Sequence, residues 1–512
     1  MTTPTTHREV ERKFRVHAMF DLPDLAALGL AASTEAPEPF VMRAVYHDTP
    51  DLTLFRWGIT LRRREGGSDE GWHMKLPVAG ADGSSRDELR LPLDAGPVGA
   101  VPGGFVEVVA PLLRGRQLQP IVTLSTERAP HVLRDGAGRP LVEVVDDIVS
   151  VLRDGRTVTV FREIEVEAVD AEDEAAADVM SALGDTFLAL GAEPSSVSKA
   201  ASALGPRTAE PPDVPEWPMP SPDGLAVDAI RAVLATHVRH LLMADIGVRR
   251  DLPDAVHQMR VAARRIRSAL GTFSPLIEPE ADEYLRAELK WMASELGAIR
   301  DTEVMLARLD DHAGQLQDPA DTERCRASID PLLQARLSAA RSSALAALRS
   351  DRHQQLVEDL VGAAVDPPVT DAAYAPCEET LLPLVARTWK RLRRAISALE
   401  MDGPSETWHA ARIKAKRARY AAESVAPIFG GRMAKYAQRM SEVTELLGEH
   451  QDAHVAQTIL RELASHDDVD GPSGMSLGIL HEFEAEEEIL DRHRFEETWP
   501  KALRSARRAG VG

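Results

Sequence analysis

The sequence contains few aromatic residues and almost no cysteine. Phe, Trp and Tyr make up 4% of the 512 residues, so hydrophobic cores must depend on Ala, Leu and Val. The two cysteines, Cys325 and Cys377, show no C-x-x-C spacing, which excludes a dense disulfide scaffold. We therefore expect free thiols in a reducing cytoplasm.

Long apolar runs are also absent. No stretch approaches the roughly 18 consecutive apolar residues that a transmembrane helix needs. The first residues, MTTPTTHREV, lack the apolar centre of a secretion signal. We therefore expect a cytoplasmic protein with no membrane partner.

Positive charge is scarce overall but concentrated locally. The 60 Lys and Arg residues face 81 Asp and Glu residues, a formal net charge of −21 that argues against a polyanion partner. Two segments without acid contradict that inference, because 256–270 carries four arginines and 408–422 carries five Lys or Arg residues. We infer that these segments act locally, while the acidic remainder discourages nonspecific nucleic-acid binding.

A proline-rich segment divides the chain. Seven prolines fall between Pro206 and Pro222, a density at which neither a helix nor a central strand can continue. Short alternating runs before it predict antiparallel strands, and the long segments after it have helical periodicity. We predict a β domain over 5–205, a linker over 206–222 and an all-α domain over 223–508, which together make an α+β multidomain protein.

The helical half contains an internal repeat. HQMRVAARRIRSAL, beginning at His257, aligns with HAARIKAKRARYAA, beginning at His409. About forty residues later, ELGAIRDTEV (295–304) aligns with LLGEHQDAHV (446–455) in nearly the same register. Two blocks in register over such a distance indicate a duplicated helical bundle. The two copies are predicted over 223–363 and 379–508.

Several predicted strands carry charge on one face, because alternate residues of a strand share a face. The charged sets are Glu9, Glu11 and Lys13; Arg62 and Arg64; Arg86 and Glu88; and Glu163, Glu165 and Glu167. A sheet with one solvated face is the commoner origin of such patterns. Solvated faces usually include Thr, Ser and Gln, however, and here acids predominate on the first and late strands and bases on the middle ones. A closed barrel with a charged interior explains both features.

Such an interior suits a metal–phosphate site. Carboxylates hold divalent cations through oxygen, and Arg and Lys hold phosphate oxygens. The order of motifs also resembles the CYTH family of triphosphate tunnel metalloenzymes: EVERKF at 9–14, YHDTPDLTLFRWGITLRRR at 46–64, then WHMKLP, SSRDELRL, TER, VEVVDD, REIEVEAV and VSKA. This resemblance implies an eight-stranded antiparallel tunnel with flanking helices, which binds a linear triphosphate with two divalent ions, Mg²⁺ or Mn²⁺.

The resemblance also implies roles for individual residues. The implied catalytic residues are Glu9, Glu11 and Lys13. The implied metal ligands are Glu9, Glu11, Asp146, Glu165 and Glu167. The implied phosphate ligands are Lys13, Arg62, Arg64, Lys75, Arg86, Arg128 and Lys199. Phosphoanhydride hydrolysis depends mostly on positioning and charge neutralisation, which agrees with these roles.

The two copies of the helical repeat each carry a basic stripe, since offsets of 0, 3, 7 and 10 residues lie on one helix face. The first basic stripe is His257, Arg260, Arg264 and Arg267, and the second is His409, Arg412, Lys416 and Arg419. A further basic cluster, with Lys390 and Arg393, precedes the second stripe. A solvated helix face would normally interleave Glu, and neither stripe does. The stripes therefore predict an anion-binding surface.

This half resembles the CHAD domain, over residues 223–508. The resemblance implies two four-helix bundles around a basic cavity that binds inorganic polyphosphate. The implied polyphosphate ligands are His257, Arg260, Arg264, Arg267, Lys390, Arg393, His409, Arg412, Lys416 and Arg419. Nucleic acid is the competing polyanion, and it is disfavoured because only Trp408 and Tyr420 accompany the stripes as aromatic residues that could stack bases.

These patterns favour a metal-dependent inorganic triphosphatase that acts on tripolyphosphate, with long-chain polyphosphate bound by the helical domain. One alternative is a non-catalytic protein that binds or targets polyphosphate. Another is a nucleotide or thiamine triphosphatase, or an adenylate cyclase, on the same tunnel. The intact set Glu9, Glu11 and Lys13 favours an active site, and no base-recognising feature supports the nucleotide alternatives.

Overall fold

The computed structural model describes residues 5–67, 69–78, 85–96, 99–170, 172–466 and 469–512, with the backbone alone for 5–9 and 85. The chain divides into two compact units, Met1–Asp213 and Val214–Gly512. No helix in these ranges is both long and apolar enough to span a bilayer.

The first unit is built on antiparallel strands. In the described residues these are β1 (Thr5–Val16), β2 (Ser33–Glu35), β3 (Phe40–Asp48), β4 (Thr60–Glu65), β5 (Gly71–Pro77), β6 (Ser85–Leu91), β7 (Gln119–Arg134), β8 (Pro140–Arg153), β9 (Arg156–Ala168) and β10 (Glu193–Ser195). Strands pair in the order β1-β6-β5-β4-β3-β7-β8-β9, and β9 pairs with β1. The eight strands therefore close into a barrel, which confirms the predicted antiparallel tunnel.

Strand alternation separates an apolar outer wall from the interior. The described residues of this unit include five helices beside the barrel: α1 (Thr53–Arg56), α2 (Gly103–Val108), α3 (Ala110–Leu113), α4 (Glu174–Ala189) and α5 (Lys199–Leu204). Helix α4 packs on the outside of β1, β8 and β9, where Phe14 meets Phe187 edge-on at 5.5 Å between ring centroids. Because Phe14 faces outward under α4, its neighbour Lys13 must face the barrel interior.

A buried carboxylate shapes the turn between β3 and β4. Asp48 accepts hydrogen bonds from the backbone N–H of Thr49 (2.6 Å), Leu54 (2.9 Å) and Phe55 (2.9 Å). The last two amides belong to the first turn of α1 and have no partner within that helix. Asp48 therefore holds α1 in place, and α1 leads the chain into β4.

Part of the proline-rich segment packs on the first unit. Residues 206–209 form a short 3₁₀ helix, and Pro211 accepts a hydrogen bond from Arg56 (2.6 Å). The side chain of Asp213 accepts a hydrogen bond from Trp57 Nε1 at 2.9 Å and pairs with Arg114. The segment predicted as a linker therefore contributes residues 206–213 to the first unit.

The second unit is helical, as predicted. Its helices are α6 (Ala226–Arg249), α7 (Ala255–Phe273), α8 (Pro279–Glu295), α9 (Gly297–Ala313), α10 (Pro319–Leu348), α11 (Asp351–Val365), α12 (Cys377–Ile396), α13 (Ser405–Phe429), α14 (Gly431–Ala464) and α15 (Gly471–Arg508). The two repeats correspond in chain order, with α6, α7 and α10 matching α12, α13 and α15. The pair α8 and α9 matches the single helix α14, whereas α11 follows the last matched helix of the first copy and packs against α6 and α8.

Candidate functional site

The barrel interior, called the lumen below, is lined with charge. Residues directly opposite each other in an antiparallel pair share a face. On β1, Glu11 pairs with Glu167 of β9 and Lys13 pairs with Glu165, while Glu9 pairs with Arg86 of β6. The backbone register therefore brings predicted metal and phosphate ligands to one surface. The side chain of Glu9 lies outside the described residues.

Lys199 is the centre of a buried ionic cluster. Its Nζ lies 3.0 Å from Asp147, 2.9 Å from Glu163 and 2.8 Å from Glu165. These carboxylates come from β8 and β9, whereas Lys199 is the first residue of α5, whose N-cap Ser198 accepts a hydrogen bond from Ala201 N–H. Helix α5 thus delivers an ammonium group to carboxylates on two strands.

Two further cations complete this cluster. Lys13 Nζ lies 3.1 Å from Glu11 and 3.3 Å from Glu165. Arg128 of β7 donates to Asp147 through Nε (2.9 Å) and Nη2 (2.6 Å), and to Glu165 (3.0 Å). Charges taken out of water need such partners, because the desolvation cost is several kcal/mol for each ion.

The cluster controls the ionisation of its carboxylates. Burial by itself would raise the pKa of Glu165, but Lys199, Lys13 and Arg128 hold that pKa well below its usual value. Burial raises the pKa of Glu163, and Lys199 only partly opposes it. The carboxylates therefore differ in proton affinity, and Glu165 remains ionised at neutral pH.

The lumen has suitable donors for a divalent cation. Glu163 is fully buried, and its Oε2 has no hydrogen-bond partner, which leaves a carboxylate oxygen for another ligand. Carboxylate oxygen is the donor that Mg²⁺ and Mn²⁺ prefer. Within the described ranges, no group of three His, Cys, Asp or Glu side chains is arranged to hold a metal ion. The cations Lys13, Lys199 and Arg128 stand between the carboxylates instead.

A second group of cations lies on β4 and β5. Arg64 is buried, pairs with Asp69 and has its pKa lowered to about 9 by burial and by Arg62 and Arg128. Lys75 pairs in register with Thr60 and Glu88. This wall of the lumen therefore holds several cations that lie close enough to repel one another. A bound anion would relieve that repulsion.

Glu88 and His73 organise this wall. Glu88 is fully buried, and its carboxylate lies 3.0 Å from His73 Nδ1 and 3.6 Å from Arg62, and accepts from Arg90 Nε at 2.5 Å. Arg86 donates to the carbonyl of Gly58 at 2.8 Å. Sequence reasoning omitted Glu88 and His73 from the site, although Glu88 has the same strand parity as Arg86.

The structure corrects one predicted metal ligand. Asp146 faces outward and accepts from Arg162 through Nε (2.8 Å) and Nη2 (2.6 Å), whereas its neighbour Asp147 faces the lumen. The prediction of Asp146 as a ligand was wrong because a change of one residue in strand position reverses the face. Glu163 was also absent from the predicted set, although its spacing from Glu165 could have identified it.

In the second unit, the Gly/Asp blocks anchor the basic stripes. Arg260 of α7 donates to the carbonyl of Gly297 (2.8 Å) and to Asp301 (3.0 Å). In the other copy, Arg412 of α13 lies 3.7 Å from Asp452. The two sequence blocks that recur in each repeat are therefore contact partners in space.

The two stripes face each other across the contact between α7 and α13. The guanidinium groups of Arg264 and Arg419 both lie over the ring of Tyr420, at 5.6 Å and 5.7 Å from its centroid. Arg265 lies 3.7 Å from Glu423, which also accepts from Arg419 Nε at 2.6 Å. The duplication therefore forms a single basic surface from both copies.

This surface contains buried hydrogen-bond groups without partners. Among the described residues these include Arg264 Nε, Arg265 Nε, Ser268 Oγ, Arg412 Nε and His237 Nδ1. Buried polar atoms are normally satisfied, so a cluster of unsatisfied donors indicates a site for an anion. Sequence reasoning omitted Ser268, although its position eleven residues after His257 lies on the same face of α7.

The remaining predicted ligands differ in exposure. His257 is half-buried, and its pKa is lowered mainly by burial and next by the charge of Arg300. Burial and neighbouring arginines likewise lower the pKa of Arg267. His409 is exposed, with Nδ1 at 2.6 Å from Gln451 Oε1. Lys390 and Arg393 are exposed on α12. The surface thus has a half-buried centre and exposed outer members.

Together, the fold and the site define a charged antiparallel tunnel in one unit and a duplicated helical bundle with a basic surface in the other. The sequence model of the CYTH domain matches residues 7–194, and that of the CHAD domain matches residues 232–461. An uncharacterized protein of Mycobacterium tuberculosis is 32% identical over 526 aligned positions, covering 99% of this chain and 98% of the relative. The chain belongs to the family in which a CYTH domain is followed by a CHAD domain.

Solved structures with related folds include PptA from Streptomyces chartreusis, at 24% identity and a TM-score of 0.48, covering 54% of this chain and all of that one. The CHAD domain from Ricinus communis matches at 23% identity and a TM-score of 0.46, covering 55% of this chain and 94% of that one. A putative adenylyl cyclase from Hippeastrum, described as having a dominant triphosphatase activity, matches at 17% identity and a TM-score of 0.23, covering 38% and 95%.

Proposed function

We propose that the first unit hydrolyses inorganic triphosphate with the help of a divalent cation, Mg²⁺ or Mn²⁺, and that tripolyphosphate is its substrate. The observation that carries this proposal is the convergence of Lys13, Lys199 and Arg128 on Glu165 inside a closed barrel. A site for a metal–triphosphate complex needs carboxylates and cations in one cavity, and the lumen supplies both.

The cluster suggests how the lumen accommodates this substrate. Lys13 and Lys199 pair with the carboxylates of Glu11, Glu163 and Glu165. Phosphate oxygens offer the lysines new partners, and Glu11, Glu163 and Glu165 are the carboxylates that would then hold a divalent cation. Charge stays balanced during this exchange, which lowers the cost of taking a polyanion out of water.

The catalytic contribution of the chain is electrostatic. Arg64 and Lys75 on one wall and Lys13, Arg128 and Lys199 on the other hold phosphate oxygens where negative charge develops. A bound divalent cation supplies polarisation of the phosphoryl oxygens and activation of water. Buried walls strengthen each of these interactions because water does not screen them.

We further propose that the second unit binds long-chain inorganic polyphosphate. The unsatisfied donors Arg264 Nε and Arg412 Nε on the shared basic surface support this proposal. Nucleic acid is less suitable, because Trp408 is 2% exposed and stacks on His450, and Tyr420 is 7% exposed beneath two guanidinium groups. Neither ring is available to stack a base.

The test is phosphate release by the full chain with Mg²⁺ or Mn²⁺ on tripolyphosphate, ATP, thiamine triphosphate and long-chain polyphosphate. We expect release from tripolyphosphate, and Glu11→Ala should lower it about 100-fold, since metal coordination supplies several kcal/mol of charge stabilisation. Glu127→Ala, at an exposed position on β7, is the matched control and should retain full activity.

Other outcomes identify the alternatives. Cyclic AMP formed from ATP without release from tripolyphosphate would replace the proposed reaction with a cyclase reaction. Preference for ATP or thiamine triphosphate would reassign the substrate. No release from any substrate, with polyphosphate still bound, would indicate a binding protein with an inactive tunnel.

A further inference from the structure

The two basic stripes differ at one of their four aligned positions. Arg264 in the first stripe aligns with Lys416 in the second. This difference has a physical consequence, because a guanidinium stays charged at all pH values of interest, whereas a lysine readily loses its proton when it is desolvated near other cations. At this position the second copy can therefore respond to pH, whereas the first cannot.

Lys416 occupies an unusually cationic environment. The charged groups that act on it most strongly are Arg412 of its own helix, Arg264 and Arg260 of α7, and Asp452 of α14. Asp452 is the single carboxylate in this set, and it already lies 3.7 Å from Arg412. Three arginines therefore disfavour the charged form of Lys416, and the one carboxylate of this set that favours it also lies close to Arg412.

No neighbouring acid compensates Lys416 directly. In the described part of the chain, no carboxylate lies within ion-pair distance of Lys416 Nζ, although the side chain is half-buried. On α12, which also packs against α13, Lys390 and Arg393 are exposed to solvent. Two further carboxylates, those of Asp301 and Glu449, pair with Arg260 and Arg308. Burial, then Arg412 and Arg264, lower the pKa of Lys416 to about 7.

We propose that polyanion binding to the helical unit takes up a proton at Lys416, so that this one side chain sets the pH dependence of polyphosphate capture above neutrality. The inference rests on the proposed polyphosphate binding and adds its regulation. A bound polyanion supplies the negative charge that the cluster lacks, and it thereby favours the ammonium form over the neutral amine.

The sign of the effect follows from proton linkage. Well below pH 7, Lys416 is protonated in both free and bound protein, so its charge contributes no pH dependence. Above pH 7, the free protein has lost this proton and the complex keeps it, so affinity falls as pH rises. One linked proton gives a limiting slope of about tenfold per pH unit. Arg264 stays charged throughout and contributes a constant affinity.

The experiment is calorimetric titration of the full chain with long-chain inorganic polyphosphate between pH 6 and 9, in buffers of different ionisation enthalpy. We expect wild-type protein to take up about half a proton per site near pH 7 and nearly one near pH 8. Lys416→Arg should abolish the uptake above pH 7 and bind more tightly than wild type at pH 8.5. Lys501→Arg, an exposed position on α15, should leave the profile unchanged.

Two more variants make the outcome decisive. Lys416→Met should bind more weakly below pH 7 and lose the proton uptake that wild type shows near pH 8, so it repeats the test if the arginine variant does not fold. Arg264→Lys should steepen the pH dependence by adding a second titrating amine. Identical slopes in wild type and Lys416→Arg, with measurable affinity, would overturn the role of Lys416. Absence of binding by wild type at every pH would instead refute the proposed function of the helical unit, and the inference with it.

Discussion

Asp147 shows how a single buried side chain organises the lumen. It is fully buried on β8, receives two hydrogen bonds from Arg128 and lies 3.0 Å from Lys199. Its neighbour Asp146 forms an ion pair of similar geometry with Arg162 on the outer face. The two aspartates therefore have similar local chemistry but different surroundings, and of the two only Asp147 contacts the lumen cations Arg128 and Lys199.

At the residue scale, we predict opposite results for two matched variants. Asp147→Asn should lower phosphate release at least tenfold and destabilise the first unit by roughly 3 kcal/mol, because two buried cations lose their shared partner. Asp146→Asn should keep its activity and lose about 1 kcal/mol or less, as expected for a partly exposed ion pair. Phosphate release and thermal unfolding measure both effects. Loss of activity in Asp146→Asn alone would contradict the assignment of faces on β8.

At the element scale, helix α1 positions one wall of the lumen. The helix has only four residues, too few to be stable by itself. Asp48 stabilises it by accepting hydrogen bonds from the N–H groups of Leu54 and Phe55, and the motif YHDTPDL that contains Asp48 leads through α1 into β4. The conformation of this turn therefore helps to orient Arg62 and Arg64.

We predict that Asp48→Ala lowers the stability of the first unit by about 2 kcal/mol, the upper range for loss of a helix-capping carboxylate. Hydrogen exchange of peptides covering residues 49–58 should become faster, because the amides of Leu54 and Phe55 lose their acceptor. Asp48→Asn keeps one acceptor oxygen and should lose less. Unchanged exchange in the alanine variant would show that the turn holds its shape without this carboxylate.

At the scale of the whole molecule, charge is distributed very unevenly. The chain has a net charge of −21, yet both basic stripes meet at one surface of the second unit, where several donors lack partners. A high local density of positive charge attracts a polyanion, and the acidic remainder repels nonspecific ones. For the proposed polyanion binding, the position of the basic residues on the surface therefore matters more than the net charge of the chain.

We predict that Arg264→Glu combined with Lys416→Glu weakens polyphosphate binding by the full chain at least tenfold and flattens its salt dependence, since fewer counterions are released from the polyanion. The control combines Lys290→Glu with Lys501→Glu, which changes the net charge equally at exposed positions. Titrations at two salt concentrations distinguish the variants. Equal losses in both would mean that total charge, and not the basic surface, determines affinity.

Sequence reasoning identified much of the fold because its signals are local. Strand alternation placed Glu163, Glu165 and Glu167 on one face, and helical spacing predicted the face shared by Arg264 and Arg267. It did not identify Asp147, since which of two adjacent aspartates faces the lumen depends on the pairing of β8 with β7 and β9. Glu88 and Ser268 were not predicted as site residues, although Glu88 has the strand spacing of Arg86 and Ser268 has the helical spacing of His257.

The sequence by itself determined the division of the chain, the periodicity of its elements, the duplication and the kinds of charge available, because each depends on nearby residues. Only the tertiary structure decided which face is enclosed and which charges become partners. Lys199 of α5 contacts three carboxylates from the strands β8 and β9, and Lys416 lies among arginines of α7 and α13. Such contacts, and the pKa values that follow from them, arise when distant segments exclude water together.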